Sequence, residues 1–247
     1  GWSCQSQEPA WTLIPAVAGD TIPRDCPIPE TGSPARTPST PLDARPSESH
    51  SGDGWFRDHW GSDMPKYETK DIRNLTLVGH GDSGKTSISE LMLFKAGAVA
   101  RQGKVEDGTS VLDSDPEEKS RKISIDLGVA HFTWKGKEVN LLDAPGYPDF
   151  AGEGIAAMAA VETAVLCIHA ANGVMVNTRK MWEQATKRGI ARAILVNKMD
   201  VENVDWAKTL RQIQETFGQN CLPVFLPIGQ AGSFKGVVNV LEPPAST

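Results

Sequence analysis

The chain has 247 residues, of which 39% are hydrophobic and 23% are charged. These values are ordinary for a folded, water-soluble protein of one large or two small domains. The formal charge of −6 provides no overall basic field for a membrane surface or for direct, sequence-specific nucleic-acid binding. No apolar run approaches the ~20 residues of a membrane-spanning helix. No basic region precedes the mildly apolar N-terminal stretch, so we predict no signal peptide and a cytoplasmic location.

Residues 1–63 differ in composition from the rest of the chain. They hold nine of the 17 prolines and no lysine, and they carry nine acidic residues against four arginines. Such a segment cannot bury enough apolar surface to offset the entropy that is lost on ordering. The first methionine of the chain is Met64, which we expect to be the natural start. We therefore predict that residues 1–63 are a disordered or non-native Pro/Ser/Gly-rich segment. A functional proline-rich tail is the alternative.

From residue 72 onward, strand patterns and helix patterns alternate. An apolar strand over 74–78 precedes a helix over 86–97, and strands over 129–134 and 139–143 flank a short hairpin turn. The elements predicted after the hairpin are a strand (163–170), a helix (178–189) and a strand (191–197). This alternation predicts an α/β fold in which a mostly parallel sheet is flanked by helices.

The segment GHGDSGKT, residues 79–86, follows the first strand and opens the first helix. It fits the phosphate-binding pattern G-x-x-x-x-G-K-[ST] at every fixed position, and we call it the phosphate loop. Glycines let the backbone approach phosphates closely, and the consecutive N–H groups at a helix N-terminus attract anions. Lys85 is predicted to reach the β and γ oxygens, and the Thr86 hydroxyl to bind Mg²⁺. The predicted contacts of the loop are Gly79, His80, Gly81, Asp82, Ser83, Gly84, Lys85 and Thr86.

A second pattern, D-x-x-G, ends the strand over 139–143. Asp143 follows Lys85 by 58 residues, and Gly146 comes three residues later. In a P-loop protein the aspartate holds the Mg²⁺ site, usually through water, and the glycine amide binds the γ-phosphate. The pattern is weak alone, and its position after the phosphate loop makes it informative. We call residues 143–147 the sensor loop.

The third pattern is NKMD, residues 197–200, at the end of the last predicted strand. Guanine offers two adjacent N–H donors that adenine lacks, and the Asp200 carboxylate is predicted to accept from both of them. Asn197 is predicted to brace the loop, and the stem of Lys198 to lie on the base. The pattern favours GTP and GDP, and it argues against the alternative of an ATP-using P-loop kinase or ATPase.

These residues resemble the GTPases of translation, in particular the G domain of elongation factor G. The phosphate loop carries His at its second position and Asp at its fourth, and the stretches LLDAPGYPDF and NGVMVNTRKMWEQATKRG look like that family. The resemblance covers about residues 64 to 241. It implies a P-loop NTPase G domain over 64–226 and the start of a truncated, inserted subdomain over 227–247. It further implies Mg²⁺-dependent GTP binding and a ribosomal partner that triggers hydrolysis.

The same resemblance leads us to expect an N-terminal fragment, because the family's fifth GTPase motif is not found. The chain also departs from the family at three positions. Ser124 stands where the family has a threonine that binds Mg²⁺. The serine keeps the hydroxyl group of that threonine and lacks its methyl group. Lys122 stands at the family's usual glycine, a change that the sequence does not explain.

Tyr147 replaces the histidine that orients the attacking water in elongation factor G, and it matches elongation factor G-like paralogues. Lys85 and Tyr147 are the candidate catalytic residues. Two roles stay open for the tyrosine, since its hydroxyl could order the water or its ring could only pack under the loop. Slow intrinsic hydrolysis is expected in either case. The alternative function is a GTP-gated binding switch with negligible hydrolysis.

Overall fold

A six-stranded sheet with helices on both faces lies at the centre of the molecule. The computed structural model describes residues 12–16 and 67–241. The strands are β1 (Thr12–Ala16), β2 (Ile72–Gly79), β3 (Gly128–Trp134), β4 (Lys137–Asp143), β5 (Thr163–His169) and β6 (Ala191–Asn197). Their order across the sheet is β1-β6-β5-β2-β4-β3. The pairings among β4, β2, β5 and β6 are parallel, and the two outer pairings are antiparallel.

Five α-helices connect the strands of the described region. They are α1 (Lys85–Lys95), α2 (Pro116–Arg121), α3 (Ala151–Ala157), α4 (Val176–Arg188) and α5 (Trp206–Phe217). Successive side chains of β5 point to opposite faces, so Leu166 and Ile168 pack with α4 and α5, whereas Cys167 packs with α1. Both faces of the central strands are therefore buried, which explains their nearly continuous apolar sequences.

The predicted elements are confirmed. Every strand and helix predicted between residues 74 and 197 is present within a few residues of its expected bounds. The hairpin turn between β3 and β4 uses Lys135 and Gly136, both with positive φ. This is the turn geometry that suits the right-handed twist of two antiparallel strands. The predicted fold class, an α/β P-loop domain with a mostly parallel sheet, is likewise confirmed.

Strand β1 occupies the outer edge of β6. Its residues pair antiparallel with β6, from Thr12 opposite Val196 to Ala16 opposite Arg192. Pro15 lacks an N–H group, and an edge strand is one of the few places in a sheet that tolerates this. The remainder of the segment predicted to be disordered or non-native, over 1–63, lies outside the described residues.

A two-stranded antiparallel sheet follows α5. It consists of β7 (Phe225–Ile228) and β8 (Gly236–Asn239) and is separate from the central sheet. The boundary predicted between residues 226 and 227 falls inside β7. None of the helices in the described ranges is long and apolar enough to cross a membrane.

Candidate nucleotide site

The phosphate loop lies between the end of β2 and the start of α1, at the carboxyl ends of the parallel strands. Gly79 has φ 151°, and a side-chain carbon there would clash with the carbonyl oxygen of Cys167 on β5. Gly84 has φ 84°, and a side-chain carbon there would clash with the Asn197 amide nitrogen. Only glycine fits at either position, because both the backbone angle and the space exclude a side chain. The loop therefore packs against β5 and the end of β6.

Lys85 is buried at the first position of α1. Its Nζ donates to the carbonyl oxygen of His80 at 3.0 Å, and a side-chain carbon on Gly146 would clash with the same Nζ. Burial lowers the pKa of Lys85, and the Asp143 carboxylate opposes this shift by favouring the charged form. The structure thus brings the lysine of the phosphate loop into contact range of the sensor loop.

Asp143 is a buried carboxylate with vacant acceptor positions. Neither of its carboxylate oxygens receives a hydrogen bond from any described residue. Burial raises its pKa from 3.8 to about 6, although the Lys85 ammonium and the nearby Thr86 and Ser89 hydroxyls lower it. These hydroxyls lie close to the carboxylate but outside hydrogen-bonding geometry. Buried polar groups are nearly always satisfied in folded proteins, so an orphaned carboxylate marks a place for a ligand.

A pair of hydroxyls stands at the start of α1. Thr86 Oγ1 and Ser124 Oγ are 3.0 Å apart, and Ser124 Oγ also donates to Asp113 Oδ1 at 2.7 Å. Asp113 is buried, and its other carboxylate oxygen receives no hydrogen bond from the described residues. Burial raises the pKa of Asp113, and the bond from Ser124 opposes the shift.

These groups fit a bound Mg²⁺. The ion prefers oxygen ligands, keeps several waters and is completed by substrate phosphates, so it does not need a cage of protein carboxylates. Within the described ranges no cluster of three or more His, Cys, Asp or Glu residues could hold a metal on its own. The Thr86 and Ser124 hydroxyls, with the Asp143 carboxylate near Thr86, supply the smaller ligand set that such a site requires.

Tyr147 lies over the phosphate loop. A side-chain carbon on Gly81 would meet its ring carbons at 3.3 to 3.5 Å, so the ring covers that glycine at van der Waals distance. The Tyr147 hydroxyl makes no hydrogen bond with any residue in the described part of the chain. The ring therefore packs, and the hydroxyl remains available to a further group.

The residues of the third pattern sit at the end of β6. Asn197 Nδ2 donates to the carbonyl oxygen of Ser83 at 3.0 Å, which connects residues 197–200, predicted to bind the base, to the phosphate loop. Lys198 has φ 59° and lines the pocket. Asp200 is exposed and lies outside the pocket lining. Its carboxylate is thus accessible to an incoming base.

A pocket of about 140 Å³ joins most of the predicted residues. Those that line it are Gly81, Asp82, Gly84, Lys85, Thr86, Ser124, Gly146, Tyr147 and Lys198. Those outside the lining are Gly79, His80, Ser83, Asp143, Asn197 and Asp200. The pocket is also lined by four residues outside the three nucleotide-binding patterns: Ser87, Val105, Glu106 and Ile123.

Three buried polar residues escaped the sequence analysis. Asn177, the second residue of α4, donates through Nδ2 to the carbonyl oxygens of Gly79 at 3.1 Å and Gly146 at 3.0 Å. It thereby links the phosphate loop with the sensor loop. Asp113 binds Ser124, and Glu90 interrupts the apolar sequence of α1. The available signal for Glu90 was a charged residue in the middle of the otherwise apolar run formed by Ile88 and residues 91–94.

Comparison with known proteins identifies relatives of this arrangement. Residues 70–242 match the family model described as the elongation factor Tu GTP binding domain. "Elongation factor G 2" of Syntrophus aciditrophicus is 34% identical over 178 residues, covering 72% of this chain and 26% of that protein. "Elongation factor G 2" of Streptomyces coelicolor is 37% identical over 169 residues, covering 68% and 25%. "Elongation factor G" of Mycoplasma pneumoniae is 34% identical over 171 residues, covering 69% and 25%.

A solved structure from Thermus thermophilus also matches. It is 38% identical, has a TM-score of 0.64, and covers 68% of this chain and 25% of its own. The chain spans about a quarter of the length of the curated relatives it matches.

Proposed function

We propose, from the premise that the chain belongs to the elongation factor Tu GTP-binding domain family, that it binds GTP and GDP and hydrolyses GTP. It would do so as the nucleotide-binding part of an elongation factor G-like translation factor on the ribosome. The observation that carries the proposal is Asp143, a buried carboxylate near Lys85 and Thr86 whose two oxygens accept no hydrogen bond from the described residues. The Thr86 hydroxyl in turn lies 3.0 Å from the Ser124 hydroxyl. A Mg²⁺–nucleotide complex would supply partners for these groups together.

Nucleotide binding follows from the phosphate loop. Backbone N–H groups at the start of α1 and the Lys85 ammonium supply positive charge to the β and γ phosphates. A Mg²⁺ ion at this site would supply positive charge that neutralises the negative charge developing on transfer. The Thr86 and Ser124 hydroxyls would hold the ion directly, and the Asp143 carboxylate would act through its water shell. The exposed Asp200 carboxylate would accept the two N–H groups of guanine.

Hydrolysis requires a positioned water more than a strong base. We assign Tyr147 the positioning role, because its hydroxyl has no hydrogen-bond partner among the described residues while its ring lies over Gly81. A phenol is not a base at neutral pH, so unassisted turnover of ~10⁻⁴ per second is expected, as for other unassisted switches. Faster turnover would then need the ribosome.

One observation favours a second candidate, a GTP-gated binding switch with negligible hydrolysis. The Tyr147 ring already packs against the phosphate loop without help from its hydroxyl, so it could act as a purely structural cover. Single-turnover hydrolysis of bound GTP, measured with and without ribosomes, separates the two candidates.

The binding proposal is tested by competition. A fluorescent GDP analogue on the 247-residue chain should be displaced by unlabelled GTP and GDP, and only at far higher concentration by ATP. Lys85→Ala serves as the control that removes phosphate binding. Equal displacement by ATP would contradict the assignment of a guanine site and support an ATP-using P-loop enzyme.

A further inference from the structure

Glu90 on α1 is buried, yet it forms no ion pair with any described residue. Four donors from the segment after α1 surround its carboxylate. Oε1 accepts from Ser110 Oγ at 2.8 Å, from Val111 N at 2.6 Å and from Leu112 N at 3.2 Å. Oε2 accepts from Gly103 N at 3.1 Å. A buried carboxylate must find such partners, so the helix and this segment are obliged to stay together.

The hydrogen bonds continue from Glu90 to the predicted metal ligands. Ser110 Oγ, which donates to Glu90, accepts from Asp113 N at 3.2 Å. Asp113 Oδ1 accepts from Ser124 Oγ at 2.7 Å, and Ser124 Oγ lies 3.0 Å from Thr86 Oγ1. Glu90 and Thr86 are four residues apart on one helix and therefore lie on the same face of α1. The network is thus a closed ring that begins and ends on α1.

A second buried glutamate holds the other side of Ser124. Glu118 on α2 accepts through Oε1 from Ile125 N at 2.9 Å and from Asp126 N at 3.0 Å. Ser124 therefore lies between a segment fixed by Glu90 and a segment fixed by Glu118. Neither glutamate lines the nucleotide pocket, so both act at a distance from the phosphates.

We propose that Glu90 is a positioning residue for the Mg²⁺ site, holding residues 103–113 so that Ser124 faces Thr86. The inference rests on the proposed function, in which those two hydroxyls bind the ion. Loss of the Glu90 carboxylate releases Gly103 and residues 110–112, and Asp113 then no longer fixes the Ser124 hydroxyl. The ion loses a preorganised ligand, although no atom that touches it has been changed.

The test compares the wild-type chain with Glu90→Gln. An amide is the same size but places a donor against the N–H of Gly103. The readout is the Mg²⁺ concentration at half-maximal retention of a fluorescent, non-hydrolysable GTP analogue. We expect this concentration to rise about tenfold, as for the loss of one hydrogen bond to a charged group. Hydrogen exchange at Gly103, Val111 and Leu112, measured without nucleotide, should accelerate.

The matched control is Gln214→Glu at the far end of α5. Gln214 Nε2 donates to the carbonyl oxygen of Cys221 at 3.2 Å, so this isosteric change also costs a hydrogen bond but lies away from the site. The control should lower the thermal midpoint and leave the Mg²⁺ midpoint within about twofold of wild type. If Glu90→Gln behaves like the control, its role is only structural and the proposal is overturned.

A milder variant covers the case in which Glu90→Gln fails to fold. Ser110→Ala removes only the hydroxyl that joins Glu90 to Asp113, and it should raise the Mg²⁺ midpoint by a smaller factor. An unchanged midpoint in that variant overturns the proposal. If the folded wild-type chain retains no guanine nucleotide at any Mg²⁺ concentration, the proposed function fails. The positioning role is then judged by exchange at residues 123–126, and unchanged exchange there in the variant overturns it.

Discussion

The side chain of Asn177 and the backbone of Gly146 are joined by a hydrogen bond of 3.0 Å, in which the Asn177 amide donates to the Gly146 carbonyl. The same amide nitrogen donates to Gly79 at 3.1 Å. One buried side chain on α4 therefore binds the phosphate loop and the sensor loop together, although these two positions lie 98 and 31 residues away from it in the chain.

Asn177→Ala is expected to leave both carbonyl groups without a buried partner. The free energy of unfolding should fall by about 2–4 kcal/mol, as for two unsatisfied buried acceptors. Asn140→Ala is the control, because Asn140 donates a single half-buried bond to Asn74 at 2.7 Å. It should cost about 1 kcal/mol. Urea unfolding of both variants is the measurement. An equal fall in the free energy of unfolding would show that the Asn177 bridge stabilises the fold no more than a single half-buried hydrogen bond.

The backbone conformation of Lys122 explains why the family usually has glycine at this position. The residue ends α2 with φ 58° and ψ 38°, a left-handed conformation that favours glycine. Lys122→Gly should therefore raise the free energy of unfolding by about 1 kcal/mol. Arg121→Gly, one residue earlier and within the helix, should lower it by about 0.5–1 kcal/mol. A loss of stability in both variants would refute the assignment of backbone strain to Lys122.

The buried Asp143 carboxyl group should make the free energy of unfolding depend on pH when nucleotide and Mg²⁺ are absent. Burial raises its pKa from 3.8 to about 6, so the folded state holds a proton between these values that the unfolded state has released. This contribution to stability is fully present below about pH 4 and is lost as the pH rises to about 6. The loss amounts to about 3 kcal/mol from the linkage relation.

In Asp143→Asn this fall in stability between pH 4 and pH 6 should disappear, because the amide does not titrate. The check is the free energy of unfolding from denaturant titrations at several pH values, for the variant beside the wild type. A parallel pH dependence in both proteins would show that other groups control the wild-type behaviour.

Asp200→Asn should change the preferred base. The amide offers a donor where xanthine has a carbonyl, and it no longer accepts from both guanine donors. Competition between xanthosine diphosphate and guanosine diphosphate is the measurement. The ratio of the two affinities should move toward the xanthine nucleotide by at least about tenfold. Unchanged guanine preference in this variant would remove Asp200 from the base site.

Tyr147 is tested by two substitutions that leave nucleotide affinity nearly unchanged. Tyr147→Phe keeps the ring over Gly81 and removes the hydroxyl, so it should slow ribosome-stimulated hydrolysis if the hydroxyl orders the water. Tyr147→His should accelerate it. Single-turnover hydrolysis at saturating GTP is the measurement. If both variants match the wild-type rate, the residue is a structural cover and another group positions the water.

The sequence predicted those parts of the fold that are encoded locally. Apolar runs such as 163–170 and the amphipathic stretch 178–189 determine whether a strand or a helix forms, and the structure confirms them. The phosphate loop could be placed because its pattern depends on adjacent residues with fixed backbone requirements.

The features that the sequence did not predict depend on contacts between residues far apart in the chain. The donors to Glu90 are mostly backbone N–H groups, which every residue except proline possesses, so no sequence pattern marks them. The strain at Lys122 arises from where α2 ends, and helix ends are poorly defined by sequence. Strand β1 was not foreseen, since the composition around it argues against regular structure.

The central position of β2 also affects how the chain reaches its native state. The β3–β4 hairpin joins neighbours in sequence, whereas β2 pairs with β4 across 66 residues and with β5 across 88 residues, counted from Ile72 to Glu138 and from Leu75 to Thr163. Strands so far apart in the sequence pair slowly, because closing the long loop between them costs entropy before any stabilising contact can form. The phosphate loop begins at Gly79, the last residue of β2, so it acquires its shape only when those late pairings are complete. A nucleotide should then recognise only the finished fold, slowing its unfolding while leaving the rate of folding unaltered.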